Sequence, residues 1–235
     1  MFPAKGALLI FAHRVNSVVI NRCRKPANAD ILVPGATVCV IGTTSTRVPY
    51  EECDHLKVTP DEVDLLLTEG AKLAPCLAET RVLRAYAGVR PLVSADNDPS
   101  GRNISRGIVC LDHETRDGIK GFISITGGKL MTYRLMGEMA ADAVCKKLGR
   151  DAKCVTADTP LPGSEPGGIE EISKKIWEVP TMVQKASVGR FGTQAANLDF
   201  DGDVKGSLVC ECEEVSVSEV DSAIENLEVN NLVDL

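Results

Sequence analysis

Four short runs within the first 44 residues, GALLIFAHR, NSVVINRC, DILVP and TVCVIGTT, restrict what this chain can fold into. Each is rich in Ile, Val or Leu, and turn-forming residues divide them, which is the pattern of strands. Strand character resumes in RVLRAYAGVRPL, RGIVCLD and GFISIT, and DNDPSGRN between them is a turn-rich loop. A block of strands followed by alternating helices and strands predicts an α+β fold, a mixed or antiparallel sheet with helices packed on one side. With 235 residues and 44% hydrophobic content, the chain can close one large domain, or one domain plus a small module.

Helix starts are marked by capping chemistry. Thr59-Pro60-Asp61-Glu62 places threonine at the N-cap, proline at the first helical position and glutamate three residues after the cap. Ser216 and Glu219 repeat the device, and Val220, Ala223, Ile224 and Leu227 then line one helical face. From Leu135 to Leu148 apolar residues recur at helical spacing after TGGK. TPLPGSEPGG reads as a linker, and GIEEISKKIWEV beyond it as a short helix. The expected boundaries are a first domain over residues 1–158, a linker with a short helix over 159–206, and a small terminal module over 207–235.

Composition removes several function classes. A net charge of −7 argues against nonspecific nucleic-acid binding. The longest apolar run, GALLIFA, is too short to span a bilayer, and it lacks a basic leader and a small-residue cleavage site. Nine scattered cysteines without a secretion signal read as thiols of a reducing, cytoplasmic compartment. Of these, Cys210 and Cys212 look like a ligand pair; coincidence is the plain alternative, and the other cysteines show no partner spacing for a zinc site. Core-like sequence directly after Met1, and the absence of a stop signal before Leu235, suggest a portion of a longer polypeptide. No strand–GxGxxG–helix fingerprint occurs in this stretch.

Gly127-Gly128-Lys129 opens a helix without a good capping side chain. One reading is a tight strand-to-helix turn and nothing more. The other is an anion site: first-turn N–H groups carry partial positive charge, glycines admit close approach, and Lys129 adds a full charge. It is not a Walker A loop, since that motif needs glycine at position 123, where isoleucine stands. Arg90, held on extended backbone before Pro91, and Arg102 and Arg106 in SGRNISRG bring forked donors suited to phosphate or carboxylate.

GTTST, YAGVRPL, DPSGRNISRG and TGGKLMTYRLM, in this order and at these intervals, resemble the FAD-dependent glycerol-3-phosphate dehydrogenases, and LVCECEEVSVSEV narrows the likeness to their bacterial anaerobic branch. The resemblance covers essentially the whole chain. It implies the substrate domain of a flavoprotein whose Rossmann-like FAD-binding segment is not in this stretch. Gly127, Gly128, Leu130, Met131 and Thr132 would then line the pyrimidine edge of FAD. Met131 stands where threonine is common in that family, so the backbone N–H and not the side chain is left to donate there. The implied substrate is sn-glycerol 3-phosphate, its phosphate held by Arg90 and Arg106 with Lys129 nearby, and its oxidation product is dihydroxyacetone phosphate. His13 or Lys129 would take the C2 hydroxyl proton. Cys210 and Cys212, followed by a capped helix, resemble the start of a small helical [2Fe–2S] module, of which this stretch supplies two of four thiolates. Electrons would pass to partner subunits and quinone, with peripheral attachment to the inner membrane through those partners. The alternatives are another FAD-dependent amino- or hydroxy-acid oxidase, and a non-enzymatic iron–sulfur electron-transfer module.

Overall fold

The computed structural model describes residues 2–92, 107–176, 179, 181–202, 204–227 and 229–232. They form two compact units, Met1–Pro34 with Val38–Asp158, and Gly35–Thr37 with Thr159–Leu235. The architecture is α+β, and the strand pairings described are all antiparallel.

In the first unit, β1 (Phe2–Phe11) is the central strand. β4 (Cys39–Gly42) and β5 (Thr46–Arg47) share one of its edges, and the long β6 (Val82–Leu92) takes the other. β3 (Ile31–Pro34) and β2 (Ile20–Asn21) continue outward from β4. Side chains alternate across the sheet. Ala7, Leu9, Phe11, Leu32, Cys39 and Ile41 are fully buried in the core with Leu66 of α1 (Pro60–Leu73). Burying a side chain of Leu or Phe size contributes about 1.5–3 kcal/mol, so this contact fixes which face α1 covers. On the opposite face Ile31 and Val33, flanking the buried Leu32, are 41% and 39% exposed, while Ala4 and Leu92 further along it are buried.

α1 starts where the capping box predicts, with the Thr59 hydroxyl accepting from the Glu62 N–H and the Glu62 carboxylate accepting from the Thr59 N–H. NSVVINRC contracts to the two residues of β2. The Asn16 amide donates to the carbonyls of Val18 and Leu32, holding this stretch as a loop, and Val18 and Val19 face solvent.

β7 (Val109–Asp112) and β8 (Ile123–Thr126) form a separate hairpin. Between them lies α2 (His113–Asp117), a single turn capped by Asp112 and closed by left-handed Gly118. His113 ties it to the hairpin, with Nδ1 2.5 Å from Asp117 and Nε2 2.9 Å from Ser124. After β8 the chain makes one 3-10 turn, Leu130–Thr132, before α3 (Tyr133–Lys147). α3 has no fully buried side chain, and Leu135 and Val144 of its apolar face are part-exposed.

In the second unit, residues 159–206 hold more than a linker and one short helix. α4 (Gly168–Lys175), α5 (Thr181–Phe191) and a 3-10 turn (Gly192–Asn197) close a core of Ile172, Ile176, Ala195 and Leu198. The PGSE segment is docked: the Gly163 carbonyl accepts from Thr193 N–H at 2.9 Å, and Glu165 accepts from the Thr193 hydroxyl at 2.7 Å. β9 (Leu208–Cys210) pairs with β10 (Val215–Ser216), which runs into α6 (Val217–Asn226) with its expected capping box.

Candidate anion site on the open sheet face

A cavity of about 680 Å³ in the first unit is lined by Arg22, Arg24, Asp30, Thr43, Arg90 and Lys129 among others. Two of its cations already answer to carboxylates. Arg22 lies 2.9 Å from Glu69, whose backbone carbonyl it also meets, and Arg24 lies 2.7 Å from Asp30 and 3.6 Å from Glu69. Lys72 and then Arg22 hold the Glu69 carboxyl well below its ordinary value, at about 2. These pairs match both arginines to carboxylates.

Arg90 stands next to the end of β6, opposite Ala4, and its guanidinium reaches across β1 to donate to the Thr43 hydroxyl at 2.5 Å and the Thr44 carbonyl at 3.4 Å. Those two acceptors are neutral and orient the guanidinium. Thr44 is itself fixed. The Thr44 hydroxyl accepts from Ala7 N–H at 2.9 Å and donates to Glu62 at 3.0 Å, and Glu62 takes Lys5 Nζ at 2.7 Å. Burial pushes the Glu62 carboxyl up, but the hydrogen bonds from Lys5, Thr59 and Thr44 outweigh it and hold the group below its ordinary value.

The structure brings Arg90 and Lys129 to one cavity. Arg106 lies outside the described residues. His13 is exposed, two residues past the end of β1 that is remote from Ala4 and Arg90, and it is not among the lining residues. Arg22, Arg24, Thr43 and Gly6 were not singled out from the sequence. The basic run RCRK could have flagged the first two, whereas Thr43 and Gly6 acquire their roles through pairings between distant segments.

The Gly127-Gly128 turn has its own structural cause. Both residues have positive φ, +78° and +66°. A Cβ at Gly127 would stand 2.1 Å from the Gly107 carbonyl oxygen, and one at Gly128 would meet Thr132 Oγ1 and Met136 Sδ. The chain's own packing therefore demands both glycines. The Thr132 hydroxyl is committed to Lys129, accepting from its N–H at 2.9 Å and donating to its carbonyl at 2.8 Å. Leu130 and Met131 occupy the first turn and are 91% and 82% exposed.

In the second unit Cys210 ends β9 and Cys212 sits exposed in the turn that follows. Arg190 of α5 straps this turn, donating to the carbonyls of Glu213 and Glu214 at 2.9 and 2.8 Å and forking onto the buried Glu219 carboxylate at 2.7 and 3.0 Å. Among the described residues no group of three or more His, Cys, Asp or Glu side chains is placed to hold a metal ion.

An antiparallel sheet with a helix on one face and a basic cavity on the other is the setting in which the chain's family can be stated: it belongs to the FAD dependent oxidoreductase (DAO) family, whose profile matches residues 1–134. Among named proteins it is 62% identical over 235 residues to a subunit of the anaerobic glycerol-3-phosphate dehydrogenase of Haemophilus influenzae, covering all of this chain and 42% of that protein. The protein of the same name in Escherichia coli K12 is 59% identical, with 100% and 43% covered. The chain thus spans less than half the length of these relatives. A glycine oxidase structure from Bacillus cereus matches at 22% identity and a TM-score of 0.44, covering 62% of this chain and 36% of that one.

The family implies FAD. The exposed Leu130–Met131 turn ahead of α3 fits a flavin edge through its first-turn N–H groups, which a helix leaves without intrahelical partners. The Thr132 hydroxyl, engaged with Lys129, fits as a support of that turn.

Proposed function

We propose that this chain is the substrate-holding part of an enzyme that oxidises sn-glycerol 3-phosphate to dihydroxyacetone phosphate with FAD. The observation that carries the reading is the convergence of Arg90 and Lys129 on one cavity. The names of the relatives point to the same substrate. FAD, when bound, supplies the hydride acceptor for C2 of the substrate.

Arg90 grips the phosphate. Its guanidinium, steadied through Nη2 by Thr43 and Thr44, turns its remaining N–H donors to the phosphate. Lys129 Nζ, in its neutral amine form, takes the C2 hydroxyl proton and becomes the ammonium; His13, remote from Arg90 along β1, is the less suited base. Gly127 and Gly128 shape the turn, and the N–H groups of Leu130 and Met131 face the flavin edge. Arg106 would add a second donor to the phosphate. Cys210 and Cys212 contribute two thiolates to a [2Fe–2S] cluster completed elsewhere in the full-length protein, and electrons leave through partner subunits to quinone. Those partners provide attachment at the inner membrane; no helix among the described residues is long and apolar enough to cross a membrane.

The test uses the full-length protein. Arg90→Ala should raise KM for glycerol 3-phosphate about 10–100-fold, the range expected for lost hydrogen bonds to a charged group, with a smaller change in kcat. Lys129→Met should lower kcat and remove one limb of its pH profile. Unchanged KM in Arg90→Ala, or faster turnover of a carboxylate substrate such as glycerate or an amino acid, would refute the phosphate assignment. Iron and sulfide content with and without Cys210→Ser and Cys212→Ser tests the cluster.

A further inference from the structure

We propose that Gly6 is a positioning residue for Arg90: the missing side chain is what lets the guanidinium lie across β1 and reach Thr43. This rests on the reading that Arg90 holds the substrate phosphate. In the β1–β6 register Ala4 faces Arg90 and Gly6 faces Gly88, so Gly6 is the diagonal neighbour of Arg90 on the same face of the sheet. A Cβ on Gly6 would stand 2.4 and 2.7 Å from the two terminal nitrogens and 2.8 Å from Cζ. It would occupy the place of the guanidinium.

The backbone does not require glycine there. Gly6 is not among the positive-φ glycines, and it lies in the middle of a regular strand, where glycine weakens pairing. Close approach by another group is then the physical reason for it, and the group that approaches is the guanidinium. The atoms a Cβ would strike belong to the far end of a flexible side chain, so the sheet can survive the substitution while Arg90 cannot stay. The other side of the slot does not yield. Thr44 is held by Ala7 and Glu62, so its carbonyl, one of the acceptors that orient Arg90, keeps its place. A guanidinium lifted off β1 loses the orientation in which it holds its remaining donors towards the phosphate.

The experiment compares Gly6→Ala, Arg90→Ala and the double variant in the full-length, FAD-loaded protein, reading KM and kcat for glycerol 3-phosphate, inhibition by inorganic phosphate, and the thermal midpoint. Gly6→Ala should raise KM roughly tenfold, the scale of one lost charge-assisted hydrogen bond, and weaken inorganic phosphate in parallel, with kcat and the midpoint little changed. Added to Arg90→Ala it should have no further effect, because its action runs through the guanidinium. If Gly6→Ala folds poorly because of the clash, Arg90→Ala should restore folding in the double variant. Additive effects, or a double variant that stays unfolded, would show that Gly6 serves the sheet and would overturn the proposal. An unchanged KM in Gly6→Ala beside a raised KM in Arg90→Ala would overturn it while leaving the phosphate reading intact. No effect of Arg90→Ala would overturn both.

Discussion

Glu62 is contacted by Lys5 Nζ, by the backbone and hydroxyl of Thr59, and by the Thr44 hydroxyl. It caps α1, neutralises a lysine that is only 8% exposed, and fixes the threonine beside Arg90. Its carboxyl is held below its ordinary 4.5 in the folded chain, so its contribution to stability is complete above that value. The contribution fades as pH falls through the depressed folded value, because the unfolded chain then binds the proton more readily. Glu62→Gln should cost about 1–3 kcal/mol at pH 7, the cost of leaving buried polar groups without their partners. The gap to the parent should narrow under acid, and chemical denaturation at pH 7 and pH 3 measures both values. A gap that stays constant with pH would contradict the ionised role. Little of this was legible in the sequence. The Thr59–Glu62 cap is local and was readable, whereas the bonds from Lys5 and Thr44 to the same carboxylate span 57 and 18 residues.

At the scale of elements, short-range chemistry was the readable part. Both capping boxes form where threonine or serine precedes glutamate by three, and β4 and β6 lie within their apolar runs, whereas β1 begins four residues before GALLIFAHR and β5 falls outside the runs. α5 was not readable, because TMVQKASVGRF carries no apolar stripe and is secured by Val183 and by neighbours brought from α4 and the following turn. α2 was missed because one turn held by Asp112 and Gly118 has no periodicity to detect. The Gly127-Gly128 turn was located correctly, but its glycines answer to Gly107, Thr132 and Met136, and α3 begins one 3-10 turn later than expected. Gly127→Ala must combine a left-handed backbone with a 2.1 Å clash against a carbonyl. We expect a loss of more than about 1–2 kcal/mol and a lower thermal midpoint, whereas Gly137→Ala, with nothing within 4 Å of its Cβ, should be neutral or stabilising by up to about 1 kcal/mol.

At the scale of the molecule, the candidate site was half legible: Arg90 and Lys129 were named from their motifs, while the cavity that both line exists only once the segments carrying them have folded together. The two units meet in sequence at Asp158 and Thr159, within a stretch, residues 151–162, that is exposed throughout and lacks helix or strand. Trypsin at low ratio should therefore cut first at Lys153, as mass spectrometry of the fragments would show; a first cut within β1 or α5 would contradict the division. Leu130, Met131, Leu148 and part of α3 leave apolar surface open on the first unit. The strap made by Arg190 has a consequence for the second unit that deuterium can read. A turn tied through two carbonyls and a buried carboxylate needs no iron to keep its shape, so the backbone amides from Cys210 to Val215 should exchange slowly in metal-free protein, and Arg190→Met should speed them whether or not iron is present.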